Sequence, residues 1–376
     1  MDTPGFGAWF FRALRLRRFP LQDHRLLGAA ARTHPAVERS GPRHRLAARG
    51  RAHPGGQGPG RKAVVRGRGI RLSRILVIGK NGQVGFELQR RLARLGQVIA
   101  VDVGEIDLAN ADSIRRVVRE SAPDLIANAA AYTAVDQAES EPELALAING
   151  VAPGILAEEA KRAGATLIHY STDYVFDGAK AAPYTEEDEP RPLSAYGRTK
   201  LAGDRAIQAV DVPHLILRTS WVYGGRGKNF LLTIMRLAQE RETLSIVDDQ
   251  VGAPTWSRAI AEATGGMLEH LGYGKPAFRE ACAGQRGIYN LTAAGQTSWH
   301  GFAAAILAHA ASARPGESEF ALARVPVLKA ITTEQYPTPA QRPRNSVLSN
   351  AKVQSAFGLV MPDWKFSLGD CMGSGR

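Results

Sequence analysis

The sequence predicts an α/β protein: a doubly wound parallel sheet with a smaller mixed α/β lobe. Three observations predict it. Short apolar, β-branched runs alternate with helical repeats from Arg74 to Ser220. A glycine-rich turn joins the first of those runs to the first repeat. Beyond Gly224 the alternation weakens into helices, short strands and proline-rich loops. Strands alternating with helices require right-handed crossovers and hence a parallel sheet. A chain of 376 residues holds two or three domains at about 100–200 residues each. We place a basic extension expected to be disordered at 1–73, a dinucleotide-binding domain at 74–223, and at 224–376 a substrate-binding lobe with segments returning to the first core.

The elements follow in order. Arg74-Ile-Leu-Val-Ile-Gly79 reads as a buried strand. From Gly82 to Gly96, Val84, Leu88, Leu92 and Leu95 fall on one helical face. A strand follows over 97–102, then a helix to about Ser121 that Asp112 or Ser113 can cap. A third strand spans 124–131, a long helix runs from about Glu141 to Arg162, and a fourth strand covers 166–171. A helix at about 194–209 leads to the strand 214–220. Later helices are expected near 229–242, 257–271 and 298–311. Gly369, Gly373 and Gly375 are expected to cut short the helix after Pro362-Asp-Trp364.

Composition removes several function classes. With 44% hydrophobic and 22% charged residues, the chain is neither wholly disordered nor a low-complexity polymer. No run of about 18 apolar residues is present, so no membrane helix is expected. Cys282 and Cys371 form neither a disulfide framework nor a zinc pattern. They fit a reducing compartment, and a cytoplasmic location is expected.

The net charge of +12 is local. Residues 1–73 hold 15 Arg and Lys62 against Asp2, Asp23 and Glu38, or +13, which leaves −1 for the body. A near-neutral body argues against nucleic acid as its partner. The extension is open to three readings: an Arg-rich targeting peptide poor in serine, an electrostatic tail for nucleic acid or membrane, or translated upstream sequence. One amphipathic stretch, 8–27, could form a helix. The body begins abruptly at Arg74, and the first methionine after Met1 is Met235. We adopt the third reading, with an internal GTG- or TTG-type start near Val64 to Leu72. Mass spectrometry of the native N-terminus is expected to find that shorter chain, and a protein beginning at Met1 contradicts it.

The glycine turn is Gly79-Lys-Asn-Gly-Gln-Val-Gly85, a GxxGxxG pattern between strand and helix. Three glycines alone could serve a structural turn. In this context they let the backbone approach a pyrophosphate, which the helix N-terminus attracts. The cradle is Gly79, Gly82, Gln83, Val84 and Gly85. Asp102, at the end of the second strand, can accept from a ribose hydroxyl and softly favours NADH over NADPH; otherwise it is a strand-end cap. Asp107 and Leu108 can flank the adenine, and Ala129, Ala130 and Ala131 are small where a dinucleotide crosses the sheet.

Tyr196-Gly-Arg-Thr-Lys200 puts a phenol and an amine on one helical face. An ammonium neighbour lowers a phenol's pKa towards a useful range, and Lys200 can also reach a nicotinamide ribose. Alone, the pair could be a solvated helix face. Ser171-Thr-Asp-Tyr174 lies 24 residues upstream at the carboxyl end of a strand, where α/β ligands bind. There Thr172 can hydrogen-bond a carbonyl and the tyrosine, and Asp173 can hold a hydroxyl. His169 on an apolar strand reads as packed, and both cysteines as inert.

These blocks carry a resemblance. The chain resembles the extended short-chain dehydrogenase/reductases and, within them, the dTDP-4-dehydrorhamnose reductase family. The matching text is GKNGQVGFEL (79–88), NAAAYTAVDQAESEPELALAIN (128–149), HYSTDYVFDG (169–178), YGRTKLAGD (196–204), LRTSWVYGGRGKNF (217–230), DDQVGAPTW (248–256), YPTPAQRPRNSVLS (336–349) and PDW (362–364). The resemblance implies a Rossmann-type fold and reduction of the C4 ketone of dTDP-4-dehydro-β-L-rhamnose by NADPH or NADH. It implies Tyr196 as acid, Lys200 as its partner and Thr172 as the hydrogen-bonding tuner. Asp173, Trp221, Arg342, Asn345 and Ser346 then match substrate-contacting positions. Arg342 can pair with a diphosphate. Trp221 can stack on a sugar or pack in a core.

The chain departs from the pattern in its extension and at Arg258. Some members join as dimers through magnesium bound by acids; Glu87 matches one such position, but Arg258 stands where those members carry another acid. No metal is expected, and the protein is expected to be a monomer or a homodimer without a magnesium bridge. Two alternatives stay open: a sugar-nucleotide epimerase or dehydratase, and a non-catalytic module like the regulatory subunit of methionine adenosyltransferase. A dehydratase places further acids beside the threonine, where this chain has one acid and Tyr174.

Overall fold

The structure, a computed structural model, describes residues 73–313 and 319–373. The extension and the helix expected at 8–27 lie outside the described residues. A six-stranded sheet has β1 (Arg74–Ile78), β2 (Gln97–Val101), β3 (Leu125–Asn128), β4 (Thr166–Thr172), β5 (His214–Thr219) and, from far along the chain, β10 (Gly287–Asn290). Their order is β10-β5-β4-β3-β1-β2 and every pairing is parallel. The order reverses between β1 and β3, and the carboxyl ends of strands at such a point form a ligand crevice.

Alternation along the strands builds the two faces. Ile75 and Val77 of β1 point into one core with Leu88 and Leu92 of α1 (Gln83–Leu92). Leu76 and Ile78 point into the other with Ile114, Val117 and Val118 of α2 (Ala111–Ser121). Each such side chain, fully buried, contributes about 1.5–3 kcal/mol. Because both faces are covered, the strands read as continuous apolar runs. A third core gathers Tyr223, Leu231, Phe302, Trp364 and Leu368.

Several expectations are corrected in detail. The cap of α2 is Asn110, whose side chain accepts from the N–H groups of Asp112 and Ser113. β3 stops at Asn128, which frees Ala129–Ala131 from the ladder. The long helix is broken into α3 (Pro142–Leu146), a π-turn over Ala147–Val151, and α4 (Ala152–Ala163). Asn149 of the π-turn bonds both the N–H and the C=O of Tyr132, so the break serves the loop after β3. α11 (Trp364–Gly373) runs through Gly369, because Trp364, Leu368, Cys371 and Met372 all bury against the third core.

Around that core lie β6 (Val222–Tyr223), α6 (Phe230–Glu240), β7 (Thr243–Val247), β8 (Val251–Gly252), β9 (Thr255–Trp256), α7 (Ser257–His270), α8 (Phe278–Gly284), β11 (Thr297–Ser298), α9 (Trp299–Ser312), β12 (Val327–Ile331) and α10 (Ala351–Phe357). Among the described residues no helix is long and apolar enough to cross a membrane, and no cluster of acids, His or Cys could hold a metal.

Candidate active site

The carboxyl edge of the sheet gathers the glycine turn, the alanine stretch and the Thr172–Tyr196–Lys200 group. Gly79 has φ +91°, and a Cβ there would lie 2.8 Å from the Ala130 nitrogen. A Cβ on Gly85 would lie 2.0 Å from the Gly79 carbonyl oxygen. Both positions therefore exclude a side chain. Gly82 caps α1 with no side-chain hydrogen bond, whereas Asn110, Ser194, Asn229 and Ser298 each cap a helix with a side chain. The first N–H groups of α1 are thus left for an external anion. The Gln83 side chain turns away, accepting from Asn229 Nδ2 at 3.0 Å. Val84 packs against the core.

Asp102 serves the turn itself. Its Oδ2 accepts from the Asn81 N–H at 2.7 Å and its Oδ1 from the Val103 N–H at 2.8 Å. Beside it Lys80 pairs with Glu105 at 2.7 Å. Asp107 accepts from the Ala109 N–H, and Leu108 packs at the margin of the second core.

α5 (Ala195–Gln208) carries Tyr196 and Lys200 and is capped by Ser194. Gly197 lets it lie against the turn after β4, since a Cβ there would sit 2.2 Å from the Tyr174 carbonyl oxygen. The rings of Tyr174 and Tyr196 meet edge to face at 5.6 Å. Thr172 donates to Asp173 Oδ1 at 2.9 Å and accepts from the Tyr174 N–H at 3.2 Å. Its hydroxyl also faces the Tyr196 phenol. Burial pushes that phenol's pKa up; the Thr172 hydroxyl opposes this, and the charges of Asp173 and Asp204 add to the rise. Burial likewise raises Asp173, to about 6, against the neighbouring hydroxyls of Ser346, Thr172 and Ser220; its Oδ2 is buried without a hydrogen-bond partner.

Gly197→Ala is expected to separate the helix from the turn. Overpacking of this kind costs about 1–3 kcal/mol, and kcat falls with it because Tyr196 and Thr172 part. Thermal unfolding and steady-state kinetics on the variant check both effects.

The place of Lys200 adds to the sequence reading. Its amine bonds the Tyr170 carbonyl at 2.7 Å and His169 Nε2 at 3.0 Å, fully buried. Burial lowers Lys200 to about 8, with the Asp204 carboxylate acting the other way. The long stem of Lys200 takes the amine to the acceptors of β4.

Other expected positions are brought in unevenly. Ser346 is buried beside Asp173 without a hydrogen bond to it. Asn345 spends its side chain on the Lys180 and Ala182 carbonyls and the Val347 N–H. Arg342 forms a two-pronged pair with Asp136 at 2.9 and 3.1 Å. Trp221, at φ +48°, stacks on Trp299 with centroids 3.5 Å apart. It also lies against Gly252, where a Cβ would come 2.5 Å from Cε2. One ring face is therefore covered by Trp299, and the side chain as a whole is half-buried. Arg258 pairs with Glu87 at 3.2 Å, joining the two positions singled out for magnesium in an internal ion pair. Asp136, Asn149 and Trp299 were not foreseen as site residues; the first two lie in the 128–149 block, quoted for its resemblance alone.

Comparison with known proteins follows this geometry. A family model described as the RmlD substrate binding domain matches residues 73–375. The chain is 50% identical over 301 residues to the dTDP-4-dehydrorhamnose reductase of Burkholderia thailandensis, covering 80% of this chain and 98% of that protein. It is 46% identical to that of Escherichia coli K12 over 77% of this chain and 94% of that one. A crystal structure of the Bacillus anthracis reductase in complex with NADP superposes with a TM-score of 0.70 at 32% identity, over 80% of this chain and 98% of that one. A Thermus thermophilus UDP-glucose 4-epimerase complexed with NAD shares the fold at 20% identity and a TM-score of 0.63, over 80% and 98% of the two chains. By the reach of the family match and by identity to the reductases, the chain belongs to the dTDP-4-dehydrorhamnose reductase family.

Proposed function

We propose that this protein reduces the C4 ketone of dTDP-4-dehydro-β-L-rhamnose to dTDP-β-L-rhamnose with NADPH or NADH, the last step of dTDP-L-rhamnose biosynthesis. The observation that carries the reading is one juxtaposition. Thr172, Tyr196 and Lys200 gather at the same sheet edge as an uncapped helix N-terminus, in a chain half identical to a named reductase.

The residues present fit a dinucleotide. Gly79 and Gly85 have no room for side chains, and the first N–H groups of α1 can hold a pyrophosphate. Asp102 would face a ribose, Asp107 and Leu108 would flank the adenine, and Ala129–Ala131 would leave room where the cofactor crosses the sheet. When bound, the reduced nicotinamide supplies a hydride. Tyr196 gives its phenolic proton to the oxygen that was the ketone. Thr172 orients that phenol, and Lys200, once charged, stabilises the phenolate left behind. Asp173 and Ser346 hold sugar hydroxyls, Trp221 offers the part of its ring that Trp299 leaves uncovered, and Arg342 and Asn345 order the loops around the nucleotide. The parallel sheet up to 223 carries the cofactor and the lobe from 224 the sugar nucleotide. A magnesium-bridged dimer is not part of this reading, because Arg258 already neutralises Glu87. The protein acts as a monomer or as a homodimer formed by other contacts.

The test is incubation with dTDP-4-dehydrorhamnose and NADPH or NADH, following loss of nicotinamide absorbance and identifying the sugar. Stoichiometric oxidation with dTDP-rhamnose formed is the expected result. Turnover without net oxidation points to an epimerase, and a folded protein with no turnover to a binding module.

A further inference from the structure

Lys200 ends a closed hydrogen-bond chain that the reaction above leaves unexplained. Asn128 of β3 and His169 of β4 are partners in register, and Asn128, His169 and Lys200 are each 1% exposed. The Ala130 N–H donates to Asn128 Oδ1 at 3.3 Å, so the amide nitrogen is the atom turned to His169. It stands 3.1 Å from Nδ1. A neutral imidazole carries one proton; with Nδ1 accepting, that proton sits on Nε2. Nε2 in turn lies 3.0 Å from Lys200 Nζ.

An ammonium has three donors and no acceptor. Facing Nε2–H it would make a donor–donor contact in a site without solvent. A neutral amine keeps one lone pair for Nε2–H and still donates to the Tyr170 carbonyl. Imidazolium is no escape, since burial and then Lys200 hold His169 well below its ordinary pKa. The other groups around the amine do not settle its charge. Asp204, one turn on in α5, favours the ammonium but is shared with Arg218 of β5. Tyr196, one turn back, is held neutral by burial, and the Tyr170 hydroxyl is bonded to Thr264.

We propose that His169, fixed in its Nε2–H tautomer by Asn128, is a positioning residue that keeps Lys200 an uncharged amine in the cofactor-free protein, so that Lys200 takes a proton from solvent when the dinucleotide binds. The phosphates of the cofactor favour the charged form, and Asn128 adjoins the alanine stretch beneath it, so cofactor and lysine charge are coupled. The inference rests on Lys200 as the partner of Tyr196, but its readouts need no turnover.

Two measurements on the full chain at pH 8.5 test it. Nitrogen-15 NMR of the cofactor-free protein is expected to show His169 protonated at Nε2 and bare at Nδ1. Calorimetric titration with NADPH in buffers of differing ionisation enthalpy is expected to show uptake of more than about half a proton per site. Asn128→Asp accepts from Nδ1–H, turns Nε2 into an acceptor and lets Lys200 charge beforehand. Its tautomer is expected to switch and its uptake to fall below about a quarter of a proton. His169→Gln, whose carbonyl accepts from an ammonium, is expected to lose the uptake likewise and serves if the first variant does not fold. An Nδ1–H tautomer in the native protein, or uptake unchanged in a folded variant, overturns the proposal. Failure of the reductase assay with both readouts as expected would leave it standing and remove only the reaction.

Discussion

Tyr196→Phe is expected to lower kcat by about 10²–10⁴-fold, the usual contribution of a positioned general acid, while the Kd for NADPH changes less than about twofold. The phenol carries the proton. Its burial raises its pKa, so at neutral pH it is protonated, as a donor to a nascent alkoxide must be. Phenylalanine keeps the ring, and with it the edge contact to Tyr174, but leaves nothing to donate. The helix capped by Ser194 and the close approach at Gly197 involve backbone and other side chains, so the fold is unaffected. Stopped-flow reduction and cofactor titration separate the two effects. Loss of both turnover and cofactor affinity would assign the residue a structural part.

The sheet was legible because its strands are buried on both faces and so appear as unbroken apolar runs. The glycine turn was legible because two of its positions have no space for a Cβ. What sequence could not supply is where long side chains end. Lys200 ends on a carbonyl and an imidazole of β4. Arg342 finds Asp136 across 206 residues of chain, and Trp221 meets Trp299 rather than open space. No local period encodes such partners. β10 escaped for a different reason: Gly-Ile-Tyr-Asn is too short to show a pattern, and its place beside β5 is set by tertiary pairing. The π-turn at Ala147–Val151 also looked like uninterrupted helix, because its cause is the bond from Asn149 to a distant loop.

Arg218→Met is expected to destabilise the fold by about 3–5 kcal/mol, the cost of leaving one member of a buried pair alone. Arg218 and Asp204 are 1% and 0% exposed, and their closest approach is 3.4 Å. That is long for a charge-assisted bond, so the pair recovers only part of its desolvation cost. The Asp204 carboxyl reports the same balance: its pKa is raised by burial despite Arg218, Lys200 and Ser171. The sign matters. An acid that binds its proton more tightly folded than unfolded opposes folding once pH exceeds its unfolded pKa, so Asp204 lowers stability at neutral pH rather than adding to it. Asp204→Leu is therefore expected to be harmful mainly because it strands Arg218, with the lost bond from Ser171 adding less. The double variant Asp204→Leu/Arg218→Met is expected to lose less than the sum of the two single losses, by a coupling energy of about 1–3 kcal/mol in denaturant unfolding. Strictly additive losses would mean that the two charges do not act as a pair. The double variant also removes the anion nearest Lys200 in α5, so its cofactor-free lysine is expected to titrate lower still.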